Sequence, residues 1–391
     1  MATLIQIKNP PQRGQTRFAL WDLGFRPFYL LASSFSALSV ALWALQFSGL
    51  VPYAYLQGPM WHAHEMLFGF TLAVVTGFLL TAGQNWSGQP TPKGAYLAAL
   101  AVLWVAGRVL VHLPWGWMAA LVNVAFPLSV ALALGIPLFR ARNRRNYFFV
   151  VLLLMMGLAQ LGVHLNALGV LRMPGWAGIA LAMDVMLFVL SVMGGRVIPM
   201  FTNNAIPGAK AIRNPWVEKL ALGSVLMIGL ADSLHVTGTG LAVLAALAML
   251  AHLIRLWLWQ PWKTLNTPLV WVLHGAYAWL VLHLAFRAMA AMDWISGSAP
   301  THALTAGAIG SMVIGMMTRT ALGHTGRKLV AGQTEVTCYI LIAVAAVIRV
   351  FVPFLNPAWL TYAVLISALM WSASFALYTW KYWPVLSRDG L

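Results

Sequence analysis

Charge is scarce in this chain and negative charge scarcest: 8% of its 391 residues are charged, and only 8 are Asp or Glu. So few charges cannot clothe a water-soluble domain of this length, which excludes an ordinary soluble fold. Cysteine occurs once, at Cys338 within an apolar stretch. A disulfide framework, an iron–sulfur cluster and the C-x-x-C-H attachment of c-type haem are thereby excluded. The polar, basic residues 1–17 lack the short apolar core and small-residue cleavage site of a signal peptide, so they are expected to stay on the chain.

Apolar residues fill the space that charge leaves: 61% of the chain is hydrophobic, with a mean hydropathy of +0.80. Spans are predicted at 25–48, 62–83, 95–113, 117–139, 147–169, 176–199, 216–236, 240–260, 268–289, 302–321, 334–353 and 359–383. Gly58, Pro59, Pro92, Pro207, Gly208, Pro261, Pro300 and Pro357 fall between them, as chain-breaking residues should. The expected fold is all-α, a polytopic membrane bundle of about 12 transmembrane helices. Its parts are a cytoplasmic basic N-terminus over 1–24, a single transmembrane domain over 25–383 and a cytoplasmic C-terminal tail over 384–391.

The formal charge of +16 would fit nucleic acid in a soluble protein, but its placement here is topological. Lys8, Arg13, Arg17 and Arg26 lie at the N-terminus, and Lys93, then Arg140, Arg142, Arg144 and Arg145, then Lys210 and Arg213 follow in alternate connections. Lys263, Arg327, Lys328, Lys381 and Arg388 continue the series, whereas the connection at 170–175 carries only Arg172 and those at 50–61, 114–116, 237–239 and 354–358 carry none. A missed helix would invert the alternation downstream of it. Both termini are therefore expected in the cytoplasm, with membrane lipids as surroundings and no nucleic acid as partner.

That topology gathers seven of the ten histidines toward the outer face: His62, His64, His112, His164, His235, His283 and His302. His252 and His274 lie deeper or further inward, and His324 lies in an inner loop. An imidazole in apolar surroundings needs partners for its nitrogens, so intramembrane histidines are functional candidates, although a single one at a helix end equally serves as a cap. Haem is the natural ligand, because neutral imidazole binds its iron and its macrocycle suits a helical bundle. His62 and His64 diverge by about 200 degrees on a regular helix. Glu65, three residues beyond His62, shares that residue's face and could orient it or carry a proton; Asp232 pairs with His235 by the same spacing. Small residues recur at Gly69, Thr76 and Gly83 and at Ala303, Gly307, Ser311 and Gly315, a pattern of close helix packing or of a flat face for a porphyrin. The many methionines are packing filler.

His62, Ala182 and His302 are spaced by 120 residues in the second, sixth and tenth spans, which divides the chain into three groups of four helices. The arrangement resembles the catalytic subunit of haem–copper oxidases, which has twelve helices in three arcs and outward haem ligands on its second and tenth helices. The resemblance implies a bis-histidine haem between His302 and either His62 or His64, with Arg108, Arg287 or Arg349 placed to pair with propionates. It departs from the oxidases in lacking a histidine on the sixth helix and a double histidine on the seventh. The cytoplasmic halves of the helices also hold almost no acids, so protons are expected from the outer side.

Longer motifs are more specific. Phe18-Ala-Leu-Trp-Asp-Leu-Gly-Phe-Arg-Pro-Phe28, Trp61-His-Ala-His-Glu-Met-Leu-Phe-Gly-Phe70, Gly195-Arg-Val-Ile-Pro199 and His274-Gly-Ala-Tyr-Ala-Trp-Leu280 occur in order. His302-Ala-Leu-Thr-Ala-Gly307, Met317-Thr-Arg319 and Leu322-Gly-His-Thr-Gly-Arg327 complete the set, and together they resemble the NnrS family over nearly the whole chain. The resemblance implies a multi-pass protein of the bacterial inner membrane that contains haem, of b type, and copper, and is linked to denitrification and protection against nitric oxide. It carries metal-ligand roles onto His62, His64, His164, His274, His302 and His324. The turn Asn85-Trp-Ser-Gly-Gln-Pro90 is less basic than the family's version, which argues against an anion site in that turn.

The leading expectation is a haem protein that binds nitric oxide and removes or reduces it, drawing on an electron donor that the sequence does not identify. As an enzyme it would be an oxidoreductase of nitric oxide reductase type, with His164 and His274 as candidates for a second centre. The competing expectation is a twelve-helix transporter exporting nitrosylated metal or thiol species, with helix breaks at Pro127 and at Gly194–Pro199. A third is a haem-based sensor, for which the chain has no soluble output domain.

Overall fold

In a membrane every backbone N–H and C=O must be satisfied within the protein, and a chain with these apolar runs meets that demand by helix alone. The computed structural model describes residues 17–52, 55–172 and 174–389. It contains α1 (Phe25–Phe47), α2 (Pro59–Ser87), α3 (Gly94–Leu110), α4 (Gly116–Arg140), α5 (Phe148–Ala167) and α6 (Ala177–Ala205). There follow α7 (Pro215–Ser233), α8 (Gly238–Leu258), α9 (Pro268–Ala291), α10 (298–324), α11 (Gln333–Leu355) and α12 (Leu360–Ser387). Each coincides with one predicted span, and no strand occurs among the described residues beyond an isolated bridge of Phe18 with Arg388. Among the described residues, nine helices are long and apolar enough to cross a membrane. The others fall short for local reasons: α3 has 17 residues, α7 carries Glu218, Lys219 and Asp232, and α10 is diluted by His302, Ser311, Arg319 and several Thr and Gly.

The helices pack as α1–α4, α5–α8 and α9–α12, and α4 on α5, α8 on α9 and α12 on α1 close the three groups into a ring. The predicted arcs are thus present. α2, α6 and α10 take the inner positions: α2 also contacts α4 and α6, α6 contacts α9, and α10 contacts α1 and α12. Burial marks α2 most clearly, with 78% of its apolar window buried against 33% in α8 and α11. On the perimeter, Leu121 and Leu369 are 72% and 69% exposed, as lipid-facing side chains should be.

Both described chain ends lie on one face, as an even number of crossings requires. Arg26 Nη1 donates to the carbonyls of Leu386 and Arg388 at 2.9 and 2.7 Å and ties α1 to α12 there. This end, which carries the arginine-rich connections, is the basic face; the opposite end is the histidine face. The expected C-terminal tail begins late, because α12 runs on to Ser387. Residues 1–16, most of the expected N-terminal segment, lie outside the described residues.

The expected helix breaks do not occur. α4 continues through Pro127, and α6 through Gly194 and Pro199. The irregular turns lie instead in two inner helices, as π-helical segments at Glu65–Thr71 of α2 and Ala303–Ile309 of α10. Each begins directly after a histidine, His64 in one and His302 in the other. Extra residues of this kind redirect side chains and are frequent at functional sites.

Candidate functional site

Two histidine clusters flank the first turns of α2 on the histidine face. In the first, His64 and Glu65 are fully buried. Glu65 Oε1 accepts from Arg108 Nη1 of α3 at 2.7 Å and meets His64 Nδ1 at 2.7 Å. The Glu65 carboxylate therefore takes His64 as its imidazole partner, not His62, because at the junction with the π segment the neighbouring side chains turn to the same side. Arg108 also donates to Asn123 Oδ1 of α4, and Gln160 of α5 joins Asn123 Oδ1 at 3.2 Å to His64 Nε2 at 3.3 Å. The ring of His164, one turn beyond Gln160, packs edge-on against His64 with centroids 5.0 Å apart. Its Nδ1 meets the Tyr55 hydroxyl at 3.3 Å, and burial pushes that hydroxyl up to about 12, so it stays neutral. Glu65 Oε2 and His164 Nε2 are buried without a hydrogen-bond partner among the described residues.

The second cluster lies between α1, α2, α10 and α11. His62 stacks on Trp43 with ring centroids 4.7 Å apart, and its buried Nδ1 has no hydrogen-bond partner among the described residues. His302 Nδ1 donates to Ser298 O of its own helix at 2.8 Å, which fixes the ring and leaves the Nε2 lone pair directed away from the helix backbone, available to bind a metal. His62 and Arg349 both lie within electrostatic range of His302, and Arg349 has no carboxylate partner among the described residues. Arg108 and Arg287 are already committed: Arg108 to Glu65, and Arg287 to Asp232 at 2.5 Å. That pairing also replaces the expected one of Asp232 with His235, because α7 ends at Ser233 and His235 adopts a left-handed turn.

The remaining motif histidines lie elsewhere. His274, six residues into α9, meets Thr202 Oγ1 at 2.9 Å near the basic face, and His324 ends α10 on that face. His164 and His274 therefore do not form a common centre: α5 delivers one to the histidine face, whereas α9 starts from the other. No group of three or more His, Cys, Asp or Glu side chains is arranged to hold a metal ion among the described residues. His252, outside the motifs, is fully buried between Tyr277 Oη at 2.6 Å and Ala221 O at 3.0 Å.

The small-residue faces serve packing. A Cβ at Gly69 would meet Arg108 Nη1 and the Phe35 ring, both at 2.7 Å, and one at Gly307 would enter the Trp279 indole. Nor is the basic end devoid of acids. Glu218 receives Arg255 through Nε and Nη2 at 2.7 and 2.6 Å, and Glu335 Oε1 accepts from the Tyr382 hydroxyl at 3.0 Å. Nothing in their spacing marks these carboxylates, Trp43 or Asn123 as site residues. Gln160 alone carried a signal, four residues before His164 and so on the same face of α5.

A family model described as NnrS protein matches residues 19–389. No curated protein matches the chain.

Proposed function

Because the chain belongs to the NnrS family, we propose that it is a haem protein of the bacterial inner membrane that binds nitric oxide and removes it by reduction. Membership marks it as a membrane protein related to nitric-oxide stress. The haem, its site and the reaction are the proposal, as is an orientation with the basic face in the cytoplasm, which the Lys and Arg asymmetry supports.

The carrying observation is the pair His62 and His302 within electrostatic range of Arg349: among the described residues the guanidinium has no carboxylate, the buried His62 Nδ1 has no partner, and the backbone anchor of the His302 ring leaves its Nε2 free. His302 and His62 would hold the haem, with Arg349 taking a haem carboxylate. When bound, haem would supply a one-electron couple and, where one of the two imidazoles gives way, a coordination position for nitric oxide. Trp43 covers the His62 ring and excludes water from it. Glu65 and His64 hold a proton in the Nδ1–Oε1 hydrogen bond, and Arg108 fixes that carboxylate in place. Reducing nitric oxide to nitrous oxide consumes both protons and electrons, so Glu65 is the assigned proton carrier and a membrane electron donor is required.

The export reading is weaker, since the helices it needed broken run continuous. With an artificial electron donor, the purified haem-loaded protein should consume nitric oxide at an electrode and shift its haem spectrum on binding. If it neither binds nor consumes the gas, the proposal fails.

A further inference from the structure

A second site lies at the opposite end of the bundle. The C-terminal ends of the inner helices α2, α6 and α10 meet around a cavity of about 950 Å³ on the basic face. Arg145, Arg196, Arg213 and Arg319 line it, and no Asp or Glu does. Its walls include Phe78, Trp86 and Phe201. The volume is that of a pocket for an organic molecule rather than for a bare inorganic ion.

The charges in this cavity are not balanced from within. Arg319 is nine-tenths buried, with its guanidinium 3.7 Å from the centroid of the Phe201 ring, yet no hydrogen bond or carboxylate meets it among the described residues. A ring face attracts the cation but leaves its five N–H donors without acceptors. Arg196 is held over Phe148 and Phe149 with one bond to Asn146 Oδ1 at 2.9 Å, and Arg145 and Arg213 lie within electrostatic range of it. Arg213 has Glu218 at 3.1 Å; the other three meet no carboxylate among the described residues. Each helix C-terminus contributes roughly half a negative charge, so three of them do not offset the guanidiniums that remain. Topology alone explains basic residues in the connections, but Arg196 and Arg319 are on helices, inside the bundle.

We propose that this cavity binds an organic anion with phosphate or carboxylate groups on an apolar or aromatic body, its anionic oxygens on Arg319 and Arg196 and its body against Phe78, Trp86 and Phe201. Planar guanidiniums with free forks suit such oxygens. The same chemistry is offered by a soluble nucleotide-like phosphate or by the headgroup of an anionic lipid.

Titration calorimetry on the purified full chain, with ADP in one arm and phosphatidylglycerol nanodiscs against phosphatidylcholine nanodiscs in the other, tests the site. Saturable binding of ADP, weakened about tenfold or more in Arg319→Gln and reduced by salt, is expected for a soluble ligand. Binding of phosphatidylglycerol alone, lost in the same variant, also upholds the site and assigns it to a headgroup. Arg319→Gln should leave haem content unchanged, which shows that the variant folds; Arg196→Gln provides the second variant. Absence of binding in both arms, or equal binding by wild type and both variants, overturns the proposal.

Discussion

Replacing Arg108 by Met removes the cation that faces the fully buried Glu65 carboxylate at 2.7 Å and leaves only the His64 imidazole beside it. Met keeps much of the volume, so the loss is electrostatic. An ordinary interhelical hydrogen bond within a membrane is worth about 0.6 kcal/mol on average. A buried carboxylate deprived of its partner costs roughly 3–5 kcal/mol. The gap between these figures makes the experiment decisive. Unfolding in a denaturing-detergent titration should show the larger loss for Arg108→Met. Adding Glu65→Gln should recover most of it, because the double variant contains no stranded charge. Lowering the pH should also reduce the penalty of the single variant, since protonation neutralises the carboxylate. A loss below about 1 kcal/mol, the scale of a single hydrogen bond, or a double variant no more stable than Arg108→Met, would refute the buried ion pair.

Gly307→Ala drives a methyl group into the Trp279 indole and should cost about 1–3 kcal/mol in the same titration; a neutral result would mean that the ring has room to retreat. His252→Phe leaves the Tyr277 hydroxyl and Ala221 carbonyl short of a partner and should cost about 1–3 kcal/mol with haem content unchanged, as measured by absorption. Tyr382→Phe removes the hydroxyl that Glu335 accepts and should cost about 1 kcal/mol, without effect on nitric oxide consumption measured at an electrode.

Most of the twelve helices could be read from the chain because lipid imposes a similar length and composition on a crossing, and α10 was found despite its π segment because no charged residue interrupts 298–318. Other features depend on contacts that spacing does not encode. A regular helix puts Glu65 on the face of His62, and only the π turn that starts there turns it toward His64. Arg287 and Asp232 are 55 residues apart in the chain, so their pairing could not be inferred from a single helix. The cavity of the basic face is a stronger example: its arginines come from separate segments, and the turn at Asn85 contributes no charge of its own. Of the three arginines expected near haem carboxylates, only the folded bundle distinguishes Arg349 from the two already paired.

The most direct test of the haem site is the pyridine–haemochrome content of the purified protein beside that of His302→Ala and His274→Ala. The account predicts haem in the wild type and in His274→Ala, and its loss in His302→Ala. A wild-type chain without haem, or full retention by His302→Ala, would contradict it.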